Sequence, residues 1–319
     1  MKKKSKISVS LVLHNEYKYI SRLANSIKKQ THKPYEIYVT DNNSIDGSPE
    51  LIKEFFPDAY INAWGKNPGY GTAHNYNMKK AFTNGADAVF IVNTDTELSD
   101  NCLEALNEFM LHHPDTGIIS PLILYGYGEE KSSIIQNFKV NADLKTGKIF
   151  NIDNNKDYKK TSLPEFNFMN YFSGTACMLT KESFSSIGGF PEPNFFYGEE
   201  MDCSYRAYIK GFKVASVRDA KVWHFHNWSK KNLKGFYREY YYINRNRVVY
   251  FKKFNLKKGF FRFISVELLT LPYRLWWAYQ KGGRKLIYYY YLGIIHGFRN
   301  KSGIYPELLD VPENNVSSK

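Results

Sequence analysis

Two groups of polar side chains in this 319-residue sequence could support a group-transfer reaction. Asn93-Thr94-Asp95 directly follows an apolar run, and Glu199-Glu200-Met201-Asp202 forms an acidic cluster further along the chain. A carboxylate beside an amide oxygen can bind a hard divalent cation, and a carboxylate near a hydroxyl can act as a general base. Together they suit a reaction in which a charged diphosphate leaves, although Asp95 could equally cap the turn or the following helix.

Strands and helices alternate along the first part of the chain. Apolar runs predict strands at residues 7–13, 36–40, 60–63, 88–92 and 118–124. Apolar residues at helical spacing, and a proline suited to a helix start, predict helices at 17–29, from 49, at 71–82 and at 100–112. This alternation implies a parallel sheet with helices on both faces. Ligands of such sheets bind at the carboxyl ends of the strands, and the polar residues at or just beyond these ends are Asn15, Glu16, Asp41, Asn67 and Asn93 to Asp95.

Five motifs, in this order, resemble glycosyltransferase family 2, and most closely its rhamnosyltransferase-like branch. They are Leu11-Val12-Leu13-His14-Asn15, Asp41-Asn42-Asn43-Ser44-Ile45-Asp46-Gly47-Ser48, Asn67-Pro68-Gly69-Tyr70-Gly71, Asn93-Thr94-Asp95 and Glu199-Glu200-Met201-Asp202. The resemblance runs from about residue 7 to about residue 229. It implies a GT-A fold, an α/β architecture with a Rossmann-like, mostly parallel central sheet and helices on both faces. A C-terminal helical extension, basic and aromatic in composition, follows.

The resemblance also implies a binding site for a nucleotide-sugar donor. The positions that match the family's donor contacts are Asn15, Glu16, Asp41, Asn43, Asn67, Gly69, Asn93 and Asp95, with Arg245 as a further phosphate contact. The Asp41 carboxylate could accept a hydrogen bond from a pyrimidine N3–H, because a carboxylate is only an acceptor. Alternatively, Asp41 and Asn43 only shape their turn, and Arg245 belongs to a solvated basic face.

A divalent cation, Mg²⁺ or Mn²⁺, is expected at Asp95. The family's metal motif is Asp-x-Asp, and Asn93 replaces its first aspartate here, which removes one formal charge from the site. His224 and His226 would share one face of a strand, and His224 is the expected second ligand because it stands five residues before Ser229, as in the family. The alternative is that both histidines are surface or core residues.

The acidic cluster is expected to face the acceptor. It resembles the family's Glu-Asp-x-Asp-x-x-x-Arg signature, which places the general base at Glu200, where glutamate replaces the usual aspartate. Glu199 and Asp202 remain rival catalytic residues. On a helix, Asp202 and Arg206 are one turn apart, so an ion pair between them is the favoured interpretation of Asp202.

The resemblance implies an inverting, direct-displacement glycosyltransferase. The expected donor is dTDP-rhamnose or a UDP-sugar, and the expected acceptor is a polysaccharide or a lipid-linked oligosaccharide of the cell surface. One alternative is a non-catalytic nucleotide-sugar-binding scaffold on the same fold. Another is a nucleic-acid-binding protein, suggested by a formal net charge of +13, but no nucleic-acid motif supports it and no nucleic-acid partner is expected.

The domain boundaries follow from composition. Residues 1–229 form the expected catalytic domain, with a nucleotide-binding half at about 1–125 and an acceptor half at about 168–229. Residues 126–167 are polar and weakly periodic, and indicate an insertion or flexible loop with short strands. Residues 230–319 are expected to form the helical extension, in which the mixture of basic and aromatic residues from 260 to 298 is typical of an interfacial membrane anchor. Packing on the catalytic domain or a homodimer contact are alternatives.

The cellular compartment is expected to be the cytoplasm, with contact at the inner face of an anionic plasma membrane. The first apolar run is interrupted by serines and predicts a strand, not a signal peptide. The three cysteines lack the spacing of a zinc site and are expected to be reduced core thiols. They are Cys102, Cys177 and Cys203.

Overall fold

The computed structural model describes residues 4–225, 233–280 and 283–308. The described residues fall into two compact units. The first unit lies within Met1–Pro191 and Glu199–Asn227, and the second within Glu192–Gly198 and Trp228–Lys319. The sequence did not predict that Glu192–Gly198 would group with the C-terminal helices.

Twelve strands and nine helices occur in these described ranges. The strands are β1 (Ile7–Leu13), β2 (Ile37–Asp41), β3 (Tyr60–Ala63), β4 (Ala88–Val92), β5 (Thr96–Leu98), β6 (Thr116–Tyr127), β7 (Glu130–Asn137), β8 (Val140–Asp143), β9 (Lys148–Asn151), β10 (Phe166–Met169), β11 (Ala176–Thr180) and β12 (Lys213–His224). The helices are α1 (Tyr17–Lys28), α2 (Ser48–Phe55), α3 (Tyr70–Thr83), α4 (Cys102–His112), α5 (Lys181–Ile187), α6 (Glu199–Ile209), α7 (Leu233–Lys253), α8 (Lys257–Gln280) and α9 (Arg284–Phe298).

A mixed sheet forms the centre of the first unit. Its strand order is β10-β12-β6-β11-β4-β1-β2-β3, with β5 paired to β12 and β7 paired to β6. The pairs β1–β2, β1–β4, β2–β3 and β6–β12 are parallel, whereas β11 runs antiparallel to both β4 and β6. The carboxyl ends of β1, β2 and β4 therefore lie at one edge, where ligands of open α/β sheets bind.

Helices cover both faces of this sheet. Alternate residues of β1, such as Val9 and Leu11, pack with α1, α2 and α4 in one apolar cluster, because successive side chains of a strand point to opposite faces. On the other face, α3, α5 and α6 pack against β4 and β11. Ser10 also faces α3, where its hydroxyl hydrogen bonds with Nδ1 of His74 at 2.7 Å. Burial lowers the pKa of His74 to about 3, so this imidazole is neutral.

The segment 126–167 forms the short strands that the sequence allowed for, rather than a flexible loop. It contributes β7, β8, β9 and the beginning of β10. Ile135 and Phe138 bury their side chains against Leu122 and Leu124 of β6 in a small separate apolar cluster. Few of its residues are apolar, so the short strands gave no clear alternating pattern in the sequence.

The second unit consists of α7, α8, α9 and the segment Glu192–Gly198. Phe195 of that segment packs with Tyr241 and Tyr242 of α7 and with Leu308. No helix in the described ranges is both long enough and apolar enough to span a bilayer. The three cysteines, all in the first unit, are buried, as predicted, and no disulfide joins them.

Candidate functional site

The loops after β1 and β2 are joined at the carboxyl edge of the sheet. Asn15 is the centre of this connection, because its backbone N–H donates to Oγ of Ser44 at 3.0 Å and its Oδ1 accepts from the N–H of Ile45 at 2.9 Å. The N–H of Glu16 donates to Oγ of Ser48 at 2.9 Å. Asn15 also has a positive φ of 62°, which asparagine tolerates better than most residues. The first loop is therefore fixed by the second.

Asp41 lies at the end of β2 and is 5% exposed. Both of its carboxylate oxygens accept from the N–H of Ser44, at 3.1 and 3.2 Å, which shapes the turn containing Asn43. Asn43 itself has a positive φ of 68°. Each carboxylate oxygen can accept more than one hydrogen bond, so a turn-forming role for Asp41 leaves acceptor capacity for a ligand.

Asn67 and Gly69 shape the loop that enters α3. Oδ1 of Asn67 accepts from the N–H of Gly69 at 3.0 Å, and Nδ2 of Asn42 donates to the carbonyl of Gly69 at 3.4 Å. The second contact connects this loop to the loop after β2. The predicted donor-binding residues from Asn15 to Gly69 thus lie on three loops, of which the loop after β2 bonds to both of the others, and we call these loops the donor edge.

Asp95 and His224 face each other beside the donor edge. Asp95 belongs to the turn between β4 and β5, and His224 ends β12, which pairs with β5. Nε2 of His224 lies 3.3 Å from Oδ1 of Asp95, and both side chains are largely buried. The N–H of Phe225 donates to the carbonyl of Asp95 at 2.8 Å and so fixes the turn. His226 and Ser229, which entered the sequence prediction, lie outside the described residues.

Gln136 of β7 orients the histidine. Its Oε1 lies 3.0 Å from Nδ1 of His224, and both residues are buried. Because this oxygen can only accept, Nδ1 carries a proton. With the proton on Nδ1, Nε2 is the ring nitrogen that can bind a metal ion, and it faces the Asp95 carboxylate at 3.3 Å.

The carboxyl group of Glu16 is a second acidic group near this pair. Burial, followed by the negative charge of Asp95, raises the pKa of Glu16 to about 7. Throughout the described ranges, no three His, Cys, Asp or Glu side chains are arranged as a complete metal cage. Mg²⁺ and Mn²⁺ sites often combine one or two protein ligands with phosphate oxygens of the substrate, so Asp95 and His224 fit such an ion.

A short segment connects the Asn93 turn to the acidic cluster. The N–H of Asn93 donates to the carbonyl of Thr175 at 2.9 Å. The preceding residue, Gly174, donates its N–H to Oε1 of Glu200 at 3.2 Å. The predicted metal-binding turn and the predicted base are therefore held by adjacent residues of one segment, which we call the 174–175 link.

Tyr70 lies among the carboxylates of both groups. Its hydroxyl donates to the carbonyl of Gly174 at 2.6 Å. Burial is the main cause that raises the pKa of Tyr70, and the charges of Cys177, Glu200, Glu199 and Asp95 raise it further. The electrostatic influence of Glu200 and Asp95 on one hydroxyl indicates that the acidic cluster and the turn that contains Asp95 lie close to each other.

Glu200, the predicted base, contacts the 174–175 link. Burial raises its pKa, and the hydrogen bond from Gly174 opposes part of that rise. Glu199 is buried in the same first turn of α6. Asp202 forms an ion pair with Arg206, whose Nε lies 2.6 Å from Oδ1 of Asp202. Arg206 also donates to the carbonyl of Gly189, so Asp202 occupies a structural network.

Arg245 has different surroundings from those expected of a phosphate ligand or a solvated basic residue. It lies in the second unit and is 1% exposed. Its guanidinium donates to the carbonyls of Asn194 and Gly303 and to Oδ1 of Asn246. It thus holds the segment Glu192–Gly198 on α7.

Sequence reasoning did not find Gln136, Gly174 or Tyr70 as site residues. Tyr70 stands inside a recognised motif, but its contact with Gly174 joins residues 104 positions apart. Gln136 lies in the segment whose function the sequence left open. Its position depends on the pairing of β7 with β6, which is irregular between Ile123 and Leu124. No local signal marks such a contact.

Substitution of Gly174 by alanine is expected to displace Glu200. A Cβ atom at this position would lie 2.5 Å from Oε1 of Glu200, so the carboxylate must move. We expect transfer turnover to fall by about 10–100-fold, because small errors in the position of a reacting group are costly. The thermal midpoint should change little, since a side-chain end can move more easily than backbone.

The matched test of this prediction is the same substitution in a Glu200→Asp background. Aspartate is shorter by one methylene and relieves the contact with the new Cβ. Gly174→Ala should therefore reduce turnover less in this background than in the native chain. Equal losses in both backgrounds would show that the alanine acts elsewhere.

Comparison with known proteins agrees with this geometry. Residues 8–188 match the model of the family described as "Glycosyl transferase family 2". The chain is 25% identical over 232 residues to the N-acetylglucosaminyl-diphospho-decaprenol L-rhamnosyltransferase of Mycobacterium tuberculosis, covering 68% of this chain and 75% of that protein. It is 23% identical over 228 residues to the O-antigen chain rhamnosyltransferase RfbN of Salmonella typhimurium, covering 71% and 68%.

Solved structures share the fold. A crystal structure of GalNAc-T7 with UDP, GalNAc and Mn²⁺ superposes with a TM-score of 0.61 at 16% identity, covering 79% of this chain and 48% of that one. This chain thus spans about half of its length. The mannosyltransferase PcManGT of Pyrobaculum calidifontis, with GDP-Man and Mn²⁺, gives a TM-score of 0.54 at 14% identity, covering 94% and 89%. The predicted GT-A fold and rhamnosyltransferase-like resemblance are confirmed, and the chain belongs to glycosyl transferase family 2.

Proposed function

We propose that this glycosyltransferase transfers rhamnose from dTDP-rhamnose, or less favourably a sugar from a UDP-sugar, with inversion at the anomeric carbon. The observation that carries the proposal is the 174–175 link, which connects the Asn93 turn to Glu200. A single displacement needs an acceptor base and a leaving-group site on opposite sides of one sugar. The link provides a fixed separation between them.

Glu200 is the proposed general base. Its carboxylate takes the proton of the acceptor hydroxyl while that oxygen bonds to the anomeric carbon. The bond from this carbon to the diphosphate oxygen breaks, and its electron pair leaves with the diphosphate. Burial raises the pKa of Glu200, which makes its carboxylate a stronger base than an exposed glutamate. The Gly174 N–H holds one carboxylate oxygen in place.

Asp95 and His224 are the proposed metal ligands. A bound Mg²⁺ or Mn²⁺ ion would stabilise the negative charge of the departing diphosphate. Both solved relatives described above contain Mn²⁺, which favours a divalent cation in this chain as well. Gln136 contributes by accepting from Nδ1 of His224, which leaves Nε2, on the side of Asp95, as the ring nitrogen that would bind the cation.

The donor edge is proposed to bind the nucleotide. The carboxylate of Asp41 lies at the end of β2 and retains acceptor capacity, which suits the N3–H of thymine or uracil. Two rhamnosyltransferases among the relatives favour dTDP-rhamnose. The names of these two relatives contain a diphospho-decaprenol and an O-antigen chain. By analogy, we propose that the acceptor of this chain is a lipid-linked oligosaccharide or a polysaccharide.

A thermal-shift comparison of nucleotide sugars tests the donor proposal. We expect dTDP-rhamnose with Mn²⁺ to raise the melting temperature most, UDP-sugars less and GDP-sugars least, because a ligand stabilises the state that binds it. Asp41→Asn should weaken the shift, whereas Asp58→Asn, a change at an exposed residue, should not. A shift by GDP-mannose alone, or by no nucleotide sugar, would refute the proposed donor class.

A further inference from the structure

Helix α8 exposes many apolar residues, whereas the charged residues in its middle, Glu267 and Arg274, are buried or partly buried. Its acidic residue, Glu267, is 6% exposed and accepts from the hydroxyl of Tyr290 at 2.7 Å. Arg274 is partly buried and lies 3.3 Å from the same carboxylate oxygen. Leu268 and Leu269, by contrast, are 66% and 82% exposed. This distribution is the reverse of that on a helix packed on a protein core with its other side in water.

The exposed apolar residues form a surface that we call the α8 outer face. Within the described part of α8, its members are Phe261, Val266, Leu268, Leu269, Tyr273, Leu275 and Trp276. Single exposed apolar residues are ordinary, but a contiguous group on one helix marks an interaction surface. Aromatic residues such as Trp276 and Tyr273 favour the boundary between hydrocarbon and water.

Basic residues lie on the same helix and near it in the chain. Lys257, Lys258 and Arg262 are exposed in the first turns of α8, and Arg284 and Lys285 are exposed where α9 begins. Glu267 is the acidic residue within α8, and it is buried. Residues 233–308 contain fifteen Lys and Arg against three Glu. An exposed apolar face with basic residues beside it is the pattern of a helix that binds an anionic membrane surface.

We propose that the α8 outer face binds the surface of a membrane that contains anionic lipid. The inference builds on the proposed lipid-linked acceptor, and it names the surface that would hold the enzyme where such an acceptor resides. A second copy of the chain fits less well. A symmetric contact through this face would bring the basic residues of two copies together, and like charges at an interface are unfavourable.

Vesicle flotation of the full-length chain tests this inference. The probes are phosphatidylcholine vesicles with and without about 30% phosphatidylglycerol, because anionic lipid supplies the electrostatic part of binding. We expect binding to the anionic vesicles to be at least about tenfold tighter, and to weaken in about 0.5 M NaCl. The double variant Leu268→Glu/Leu269→Glu should lose at least about tenfold in binding, because both changed side chains would enter the apolar layer.

The matched control is Ile149→Glu on β9, which changes an apolar residue that is 47% exposed in the first unit. It should bind anionic vesicles as the native chain does. The inference would be overturned if the native chain bound vesicles equally well with and without anionic lipid, or if the double variant bound anionic vesicles as tightly as the native chain does. A dimer in gel filtration that the double variant dissociates, with no vesicle binding by the native chain, would assign the face to a second copy.

The dTDP-rhamnose thermal shift separates this inference from the proposed function. It is measured without vesicles and on the same protein samples. The double variant should keep the native shift, because its changes lie on exposed positions of α8. If the native chain shows the dTDP-rhamnose shift but does not bind vesicles, the membrane inference alone is rejected. If the native chain binds anionic vesicles but shows no dTDP-rhamnose shift, the donor proposal alone is rejected.

Discussion

Glu200→Gln is expected to lower the turnover of sugar transfer by about 10²–10⁴-fold, the usual contribution of a general base. Glutamine is isosteric with glutamate and keeps an oxygen that can accept from the N–H of Gly174, so the local structure should persist. Donor affinity, measured by calorimetry with dTDP-rhamnose, should stay within about twofold of the native value, because the base contacts the acceptor rather than the nucleotide.

The pH dependence of this reaction provides a second readout. Burial raises the pKa of Glu200 above its ordinary value, and a base acts only when deprotonated. Activity of the native chain should therefore fall as the pH drops through this raised pKa. The acidic limb of the kcat/KM profile should disappear in the Glu200→Gln protein, whose residual activity does not require that ionisation.

Two matched variants decide among the rival acidic residues. Glu199→Gln should retain more activity than Glu200→Gln. Asp202→Asn should reduce the melting temperature more than turnover, because Asp202 pairs with Arg206. If Glu199→Gln abolishes transfer while Glu200→Gln does not, the base has been assigned to the wrong residue. Full activity in the Glu200→Gln protein would reject Glu200 as the base, and absence of transfer by the native chain itself would support the alternative of a non-catalytic scaffold.

Asp95→Ala is expected to weaken Mn²⁺ binding in the presence of dTDP by about 100-fold or more. Loss of a residue that only supports a metal ligand costs about 10–100-fold, and Asp95 is itself a proposed ligand. Calorimetry or the electron paramagnetic resonance signal of free Mn²⁺ would measure the change without any need for turnover. Unaltered Mn²⁺ affinity in the variant would contradict the assignment.

Gln136 permits a finer form of the same experiment. Gln136→Leu removes the oxygen that accepts from Nδ1 of His224 and should weaken Mn²⁺ binding by about 10–100-fold. Gln136→Glu keeps an acceptor oxygen at the same chain length and should retain more of the affinity. Equal losses in both variants would indicate that packing of β7, rather than orientation of the imidazole, controls the ion.

Elements with strong local patterns were predictable from the sequence. The bounds of β1, β3 and β4 agree with the structure. The clearest of these is β4, an uninterrupted apolar run that is followed by the polar residues Asn93 to Asp95. The strands within residues 126–167 were harder to predict, because Ile135 and Phe138 are buried only after β7 pairs with β6. Grouping of Glu192–Gly198 with α7 likewise depends on distant hydrogen bonds to Arg245, which sequence spacing does not encode.

The same distinction applies to the site. The donor edge and the pair of Asp95 and His224 follow from motifs that a family resemblance can identify. The 174–175 link could not be predicted, because it joins Asn93 to a residue 82 positions later through backbone atoms alone. Every residue type has a backbone carbonyl that can accept and all but proline have an N–H that can donate, so such a contact leaves no trace in residue identity.

The anomeric configuration of the first product tests the central claim most directly. The native chain is incubated with dTDP-rhamnose, Mn²⁺ and a lipid-linked acceptor, and the new glycosidic bond is examined by nuclear magnetic resonance before side reactions accumulate. A single displacement assisted by Glu200 predicts a configuration opposite to that of the donor. A product that retains the donor configuration would contradict the account.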